Sequence, residues 1–104
     1  MATTIKAAAR MHSPAHPGTI LRELYLKPLR ITLAEAAQAL DVTPKHVSGI
    51  VNGHVRITAD MAIRLAAALD TEAQLWMNLQ AQHDLWVASQ TPPKNIKSLR
   101  QVAA

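Results

Sequence analysis

Four threonines in the middle of the chain each come just before a segment whose apolar residues repeat with the period of an α-helix: Thr32, Thr43, Thr58 and Thr71. A threonine hydroxyl accepts a hydrogen bond from the unpaired backbone amides at a helix start. Glu35 and Gln74 follow the first and last of these threonines by three positions, which is the spacing of a capping box. Alternation with a period of two, the mark of strands, is almost absent from residues 18–90. The sequence therefore predicts an all-α fold.

Residues that end a helix set the boundaries of five predicted helices. The Lys27-Pro28 step ends the first, Asn52-Gly53 ends the third, and Pro92-Pro93 ends the fifth. The predicted helices span residues 18–26, 33–40, 44–51, 59–69 and 72–90. A length of 104 residues suits a single domain. We expect a flexible arm over residues 1–14, a folded domain over residues 15–90 and a flexible basic tail over residues 91–104.

Charge and composition exclude several classes of protein. Eleven basic and seven acidic side chains give a net charge of +4 and a pI of about 10, which is typical of a polyanion binder. The absence of cysteine excludes disulfide scaffolds, thiol enzymes and cysteine-ligated metal centres. No apolar run reaches the roughly 18 residues that cross a bilayer, and residues 1–18 lack the apolar stretch of a secretion signal. We therefore expect a cytoplasmic protein.

The charge is unevenly distributed along the chain. Residues 60–84 hold four acids and one arginine, whereas cations prevail in residues 1–22, in residues 42–59 and after residue 84. The basic stretches suit a phosphate surface, and the acidic stretch suits a different partner.

Residues 33–53 carry the pattern of a helix-turn-helix, with a tight turn at Asp41-Val42 between two short helices. Ala37 is small enough to let the two helices cross closely. Asp41 stands where the turn needs a positive φ, which its short polar side chain tolerates. Apolar residues anchor the second helix, namely Val42, Val47 and Ile50. Its open side is polar and basic and predicts DNA recognition; it consists of Thr43, Lys45, His46, Ser48 and Gly49.

The chain resembles the HigA family of antitoxins, within the larger Cro/repressor-like helix-turn-helix group. The resemblance covers roughly residues 14–88. It rests on His16-Pro17-Gly18 before the first helix, on Thr43, Pro44, Val47 and Ser48 in the helix-turn-helix, and on the stretch Trp76-x-Asn78-Leu79-Gln80-x-Gln82-x-Asp84-Leu85. It implies a five-helix Cro/repressor-like domain with a long C-terminal helix.

The same resemblance implies a function. Members form a homodimer that binds a palindromic operator, represses its own toxin–antitoxin operon and neutralises a HigB/RelE-like mRNA-cleaving toxin. Relatives often carry a longer polar or basic residue at the position of Gly49. The absence of such a side chain here removes one possible base contact and shifts the expected base contacts toward Lys45 and His46.

The DNA-contacting residues are assigned by their positions. Lys45 and His46 lie in the first turn of the recognition helix, the part that reaches base edges. We assign Lys45 to a guanine or a phosphate, and His46 to a base edge or a bridging water. Arg56 is expected to act as a longer-range cation. The remaining donors are expected to contact the DNA backbone, namely Thr32, Thr43, Ser48, Asn52 and His54. Capping alone for the two threonines, and a solvated loop position for His54, are the alternatives.

The fifth predicted helix carries a seam at helical spacing, which consists of Leu75, Trp76, Leu79, His83, Trp86 and Val87. Such a seam is typical of a core or a dimer interface. We expect Trp76, Leu79 and Trp86 to form the dimer interface, because these large side chains carry more apolar surface than a small alanine-rich core can cover. The toxin surface is either the acidic segment 60–84, which would attract a basic toxin, or the arm 1–14, which would fold on it.

Three other interpretations are possible. An ordinary helix-turn-helix transcriptional repressor without a toxin partner shares every feature except the stretch 76–85. An enzyme is disfavoured, and we expect no catalytic residue, metal or cofactor, because the histidines show no metal-ligand spacing: His12, His16, His46, His54 and His83. A purely structural helical adaptor would leave the basic face of the third helix unexplained.

Overall fold

The computed structural model describes residues 13–103, and all regular structure in that range is helical. Helix α1 begins as an α-helix over Pro17–Ile20 and continues as a wider π-helical turn over Leu21–Leu26. The helices that follow within the described range are α2 (Leu33–Leu40), α3 (Pro44–Val51), α4 (Ala59–Leu69), α5 (Ala73–Gln90) and α6 (Leu99–Ala103). The predicted all-α helix-turn-helix fold is confirmed. The five predicted helices match the observed α1 to α5 to within one residue at every boundary.

The two ends of the chain differ in what is described. The expected arm over residues 1–14, with His12, lies outside the described residues except for Ser13 and Pro14. The segment expected to be a flexible tail contains α6, and every residue of α6 is exposed. None of the helices within residues 13–103 combines the length and apolar character that a membrane crossing requires.

Local capping explains where α2, α3 and α4 begin. The hydroxyls of Thr32, Thr43 and Thr58 accept hydrogen bonds from backbone amides three positions later, at 3.1, 3.1 and 3.3 Å. At α2 the Glu35 carboxylate accepts from the Thr32 amide at 3.0 Å, which completes the predicted capping box. These bonds also lower the pKa of Glu35, since the Thr32 amide and hydroxyl both favour the carboxylate.

The capping role predicted for Thr71 is wrong. Glu72 occupies the cap position of α5 without a side-chain hydrogen bond to the helix. The Thr71 hydroxyl instead accepts a hydrogen bond from the Trp76 indole nitrogen at 2.8 Å. An unpaired indole N–H in the core would cost more free energy than an exposed helix end, which water can satisfy.

One hydrophobic core joins α1 to α5. Its fully buried apolar side chains come from all five helices and the loop before α4; the largest are Trp76, Leu21, Ile50, Ile57, Leu65 and Val47. Helix α5 packs along α4 and contacts the start of α1, and α2 contacts both α3 and α4. The core therefore lies directly behind the helix-turn-helix and holds it from the inside.

The start of α1 supports the end of α3 at very close range. A Cβ atom added at Gly18 would lie 1.7 Å from the carbonyl oxygen of Ile50 and 3.0 Å from the Cα of Val51. Both Gly18 and Ile50 are buried. The glycine is therefore required because backbone touches backbone, and α1 fixes the position of α3 from behind.

Candidate nucleic-acid interface

The turn between α2 and α3 has the geometry predicted for a helix-turn-helix. Asp41 adopts a left-handed conformation with φ 56° and ψ 48°, and the Val42 amide donates to the Ala37 carbonyl at 3.0 Å. Ala37 is only 1% exposed, because it lies where the two helices meet. Val47 and Ile50 on α3 are fully buried. Helix α3 is thus anchored by its inner face and presents its other side outward.

The outer side of α3 and the loop that follows it enclose one open groove. Its lining consists of Thr43, Lys45, His46, Ser48, Gly49, Asn52, His54 and Val55. Six of the eight residues predicted to contact DNA therefore lie together, and Thr32 and Arg56 lie outside the groove. Val55 was not predicted, since an apolar loop residue gives no signal of a DNA-facing position.

The groove is rich in hydrogen-bond donors. Lys45 is exposed and forms no ion pair within residues 13–103. His46 is half-buried, and Asn52 donates from its side-chain nitrogen to the Ser48 hydroxyl at 3.2 Å. Ammonium, imidazole, amide and hydroxyl groups are those that bind phosphate oxygens and base edges. The arrangement suits the major groove of a duplex, which admits one helix.

The return loop, defined here as residues 52–58, folds back onto α3 at Gly49. The amides of His54 and Val55 donate to the Gly49 carbonyl at 2.8 and 3.0 Å, and the chain turns at Gly53 with φ 78°. A Cβ atom at Gly49 would lie 2.5 Å from the Cγ2 atom of Val55. A longer side chain at Gly49 would therefore displace the loop, which gives a structural reason for the glycine.

Arg56 is held by α5. It pairs with the Asp84 carboxylate, which also accepts a hydrogen bond from the Gln80 side-chain nitrogen at 2.9 Å. Partial burial works to raise the pKa of Asp84, but the hydrogen bonds from Gln80 and Arg56 and the charge of Arg56 outweigh it and lower that pKa. The DNA contact assigned to Arg56 would require this pair to open.

The acidic segment 60–84 offers less free negative charge than its composition suggests. Asp60 pairs with Arg64 at 2.8 Å, and Asp84 pairs with Arg56. Arg64 also donates to the carbonyls at the end of α2, so it ties α4 to the helix-turn-helix. Among the four acids only Asp70 and Glu72, at the turn between α4 and α5, form no ion pair with the described residues.

A histidine caps α1 beside this network. The Nδ1 atom of His16 accepts a hydrogen bond from the Gly18 amide at 2.9 Å, and its ring meets the edge of His83 with centroids 4.9 Å apart. Burial and the neighbouring His83 lower the pKa of His16, against the opposing effect of Asp84. The neutral ring is the form that caps the helix.

The residues predicted for a dimer interface do not all reach the surface. Trp76 is fully buried in the core of its own chain, so its assignment to an interface is wrong. The physical reason is that Trp76 faces inward with Gln80, while residues 75, 79, 82 and 86 form a neighbouring face of α5. Leu79 and Trp86 are half-buried on that face, and Leu75 is 40% exposed.

Residues 13–103 contain no group of three or more histidine or carboxylate side chains placed to hold a metal ion.

Comparison with known proteins agrees with this geometry. A family model described as helix-turn-helix matches residues 21–76, which is more than half of the chain. The sequence is 41% identical over 73 residues to antitoxin HigA-1 of Vibrio cholerae, across 70% of this chain and 69% of that protein.

Two solved structures are similar in both fold and sequence. A Pseudomonas aeruginosa protein in complex with its 18-bp operator DNA matches with a TM-score of 0.74 and 46% identity, across 78% of this chain and 87% of that chain. The Pseudomonas aeruginosa antitoxin HigA with the higBA promoter matches with a TM-score of 0.74 and 41% identity, across 83% of this chain and 98% of that chain.

Proposed function

The chain belongs to the helix-turn-helix family of DNA-binding regulators that includes the HigA antitoxins, and on that premise we propose that it is an antitoxin. In this proposal a homodimer binds a palindromic operator, represses its own toxin–antitoxin operon and neutralises a HigB/RelE-like, mRNA-cleaving toxin. The family is a class of DNA-binding proteins rather than of enzymes. The role places the protein in the cytoplasm, where that DNA is.

The observation that carries the proposal is the groove along α3. Lys45 and His46 lie in the first turn of the helix, and the Thr43 cap fixes that turn. Asn52 and His54 approach the same groove from the return loop. Side chains in the first turn of such a helix contact base edges, and flanking donors contact phosphates.

A homodimer accounts for operator-level affinity, since one domain of this size makes too few base contacts. We place the dimer surface on the face of α5 that carries Leu75, Leu79 and Trp86. The indole nitrogen of Trp86 is buried and has no hydrogen-bond partner within the described residues. Two copies joined there would set their α3 helices roughly 34 Å apart, in successive major grooves.

The dimer is tested by light scattering on the wild type and on Leu75→Glu. The charged variant should be monomeric at micromolar concentration, whereas the wild type should have twice the mass. Ala81→Glu, at an exposed position about 120° around the same helix from Leu75, is the matched control and should remain dimeric. A wild type that is monomeric at that concentration contradicts the homodimer.

The toxin surface is divided between two candidates. The turn between α4 and α5 offers the exposed carboxylates of Asp70 and Glu72, which suit a basic partner. The arm over residues 1–14 is the other candidate. Toxin rescue in cells separates them: loss of rescue on deleting residues 1–14 assigns the arm, and loss in the Asp70→Asn, Glu72→Gln double variant assigns the turn. Full toxicity with the wild type present contradicts the antitoxin role and favours an ordinary repressor.

The DNA-binding role is tested with Lys45→Ala. Because Lys45 is exposed and outside the core, its removal leaves the fold intact and should weaken operator binding by about 1–3 kcal/mol if it contacts a base. Lys27→Ala removes the same charge at the residue after α1, where Lys27 pairs with Glu23 at 3.0 Å, and serves as the matched control. The loss should be larger on operator than on scrambled DNA. An equal loss on both would reassign Lys45 to a phosphate.

A further inference from the structure

Gln80 is a polar side chain in the middle of an apolar core. It is 2% exposed and is the one buried polar or charged side chain among residues 13–103. Burying an amide costs free energy unless both of its ends are hydrogen-bonded. Both ends are: the Gln80 Oε1 atom accepts from the Ile57 amide at 2.7 Å, and its Nε2 atom donates to Asp84 at 2.9 Å.

These two bonds attach the return loop to α5. Ile57 is fully buried at the end of the loop, and its backbone is held directly by Gln80. The preceding residue, Arg56, is held by Asp84, which Gln80 orients. Two consecutive loop residues are thus attached to one helix, the first through its side chain and the second through its backbone.

The other end of the loop is attached to α3. The amides of His54 and Val55 donate to the Gly49 carbonyl, so the segment is fixed at both ends. Asn52 and His54, which line the groove, lie in this fixed segment. Their positions relative to Lys45 therefore depend on both attachments.

An apolar side chain of the same size would fill the space that Gln80 occupies. It could not make the connection, because the Ile57 amide needs an acceptor and the Asp84 carboxylate needs a donor. A side-chain amide supplies both, whereas glutamate lacks the donor at neutral pH and lysine lacks the acceptor. The hydrogen-bond donor and acceptor of the Gln80 side chain therefore matter here in addition to its volume.

We propose that Gln80 is a positioning residue for DNA binding, through which α5 holds the return loop in the conformation that faces the duplex. Gln80 itself touches no DNA and acts through Ile57, Asp84 and Arg56. The proposal rests on the proposed function only in placing α3 and the return loop against DNA.

The test compares Gln80→Met with Gln74→Met. Methionine preserves the length and approximate volume of glutamine and removes both hydrogen bonds. Gln74 lies on the same helix, is exposed and donates to Asn78 at 2.8 Å, so Gln74→Met is the matched control. Each protein is titrated with the DNA of its own promoter and with scrambled DNA at several salt concentrations. Amide hydrogen exchange at Ile57 is measured in parallel, below the unfolding transition.

The Gln80→Met protein should lose protection of the Ile57 amide and bind promoter DNA about tenfold more weakly. For this variant the slope of log affinity against log salt concentration should be smaller in magnitude by about one, because a loop contact to phosphate is lost. The Gln74→Met protein should match the wild type in all three measurements. Unchanged affinity and salt slope in folded Gln80→Met protein would overturn the positioning role and leave Gln80 as a core residue.

A second variant keeps the test decisive where Gln80→Met fails to fold. Gln80→Glu presents a carboxyl group at the same position. When protonated, this group accepts from the Ile57 amide and donates to Asp84 as the glutamine does; when ionised, it lacks the donor and repels Asp84. The affinity of the variant relative to the wild type should therefore fall as the pH is raised, and a folded variant that binds promoter DNA as tightly as the wild type at every pH would overturn the proposal. A wild type that binds promoter and scrambled DNA equally would instead contradict the proposed operator binding, so the two failures are distinguishable.

Discussion

Replacing Gly18 with alanine should strongly destabilise the fold. The new Cβ would lie 1.7 Å from the Ile50 carbonyl oxygen, a contact that must open to at least 3.0 Å. The obstacle is backbone rather than a flexible side chain, and Ile50 is fully buried, so α3 cannot move without disturbing the core.

Two opposing effects decide whether Gly18→Ala raises or lowers the free energy of unfolding. Alanine gains up to about 1 kcal/mol over glycine from its higher helix propensity. Overpacking costs typically about 1–3 kcal/mol and more where no neighbour can yield. Because the contact must open by more than an ångström against backbone, we expect a net loss of about 3 kcal/mol or more in the free energy of unfolding. That is a large part of the roughly 5–15 kcal/mol that stabilises a native domain.

Urea unfolding monitored by far-UV circular dichroism measures this loss. Gly49→Ala is the matched control, since its Cβ would lie 2.5 Å from a terminal methyl group of Val55, which can yield more easily than backbone. The Gly18 variant should therefore lose more stability than the Gly49 variant. A Gly18→Ala protein as stable as the wild type would refute the close approach of α1 and α3.

Three further substitutions test the local chemistry. His16→Asn keeps an acceptor for the Gly18 amide but cannot titrate. Because folding lowers the pKa of His16, the stability of the wild type should fall as the pH drops below about 6.5. When unfolding is followed from pH 8 to pH 5, this fall in stability should be smaller in the variant. Thr71→Val should lower the free energy of unfolding in urea by about 1–3 kcal/mol, because it leaves the Trp76 N–H unpaired. Thr71→Ser should be close to the wild type, and equal stability of the two variants would contradict the hydrogen bond. Asp41→Gly should raise the melting temperature, since glycine adopts φ 56° without strain, and a lowered melting temperature would contradict that conformation.

The sequence predicted the elements whose causes are local. Thr32, Thr43 and Thr58 lie within three residues of the amides that they cap, so α2, α3 and α4 begin at the predicted residues. The turn at Asp41 was likewise predictable, because its backbone conformation depends on its own side chain and its neighbours.

The features that were missed depend on contacts distant in sequence. The capping pattern at Thr71 is as good as that at Thr32, but the position of Trp76 in the core changes its use. The bond between Gln80 and Ile57 spans 23 positions, and the pair of Arg56 and Asp84 spans 28. A helical period shows that α5 has an apolar seam but does not show which side of the seam faces the core.

For the same reason the residues of the groove along α3 were predicted more completely than the outward face of α5. The groove residues Lys45 and His46 lie on one short helix whose inner face was already assigned by Val47 and Ile50. The outward direction of α3 followed from that assignment. The outward face of α5 required the position of α4 and α1, which only the folded chain supplies.

Selection of binding sites from random DNA tests directly whether α3 binds a palindromic operator as part of a homodimer. The wild-type protein should enrich one two-fold-symmetric sequence, with half-sites centred about 10–10.5 bp apart, and Lys45→Ala should weaken or relax that enrichment. Enrichment of no sequence, or of a single unrepeated half-site unaffected by Lys45→Ala, would contradict the proposal that α3 binds a palindromic operator as part of a homodimer.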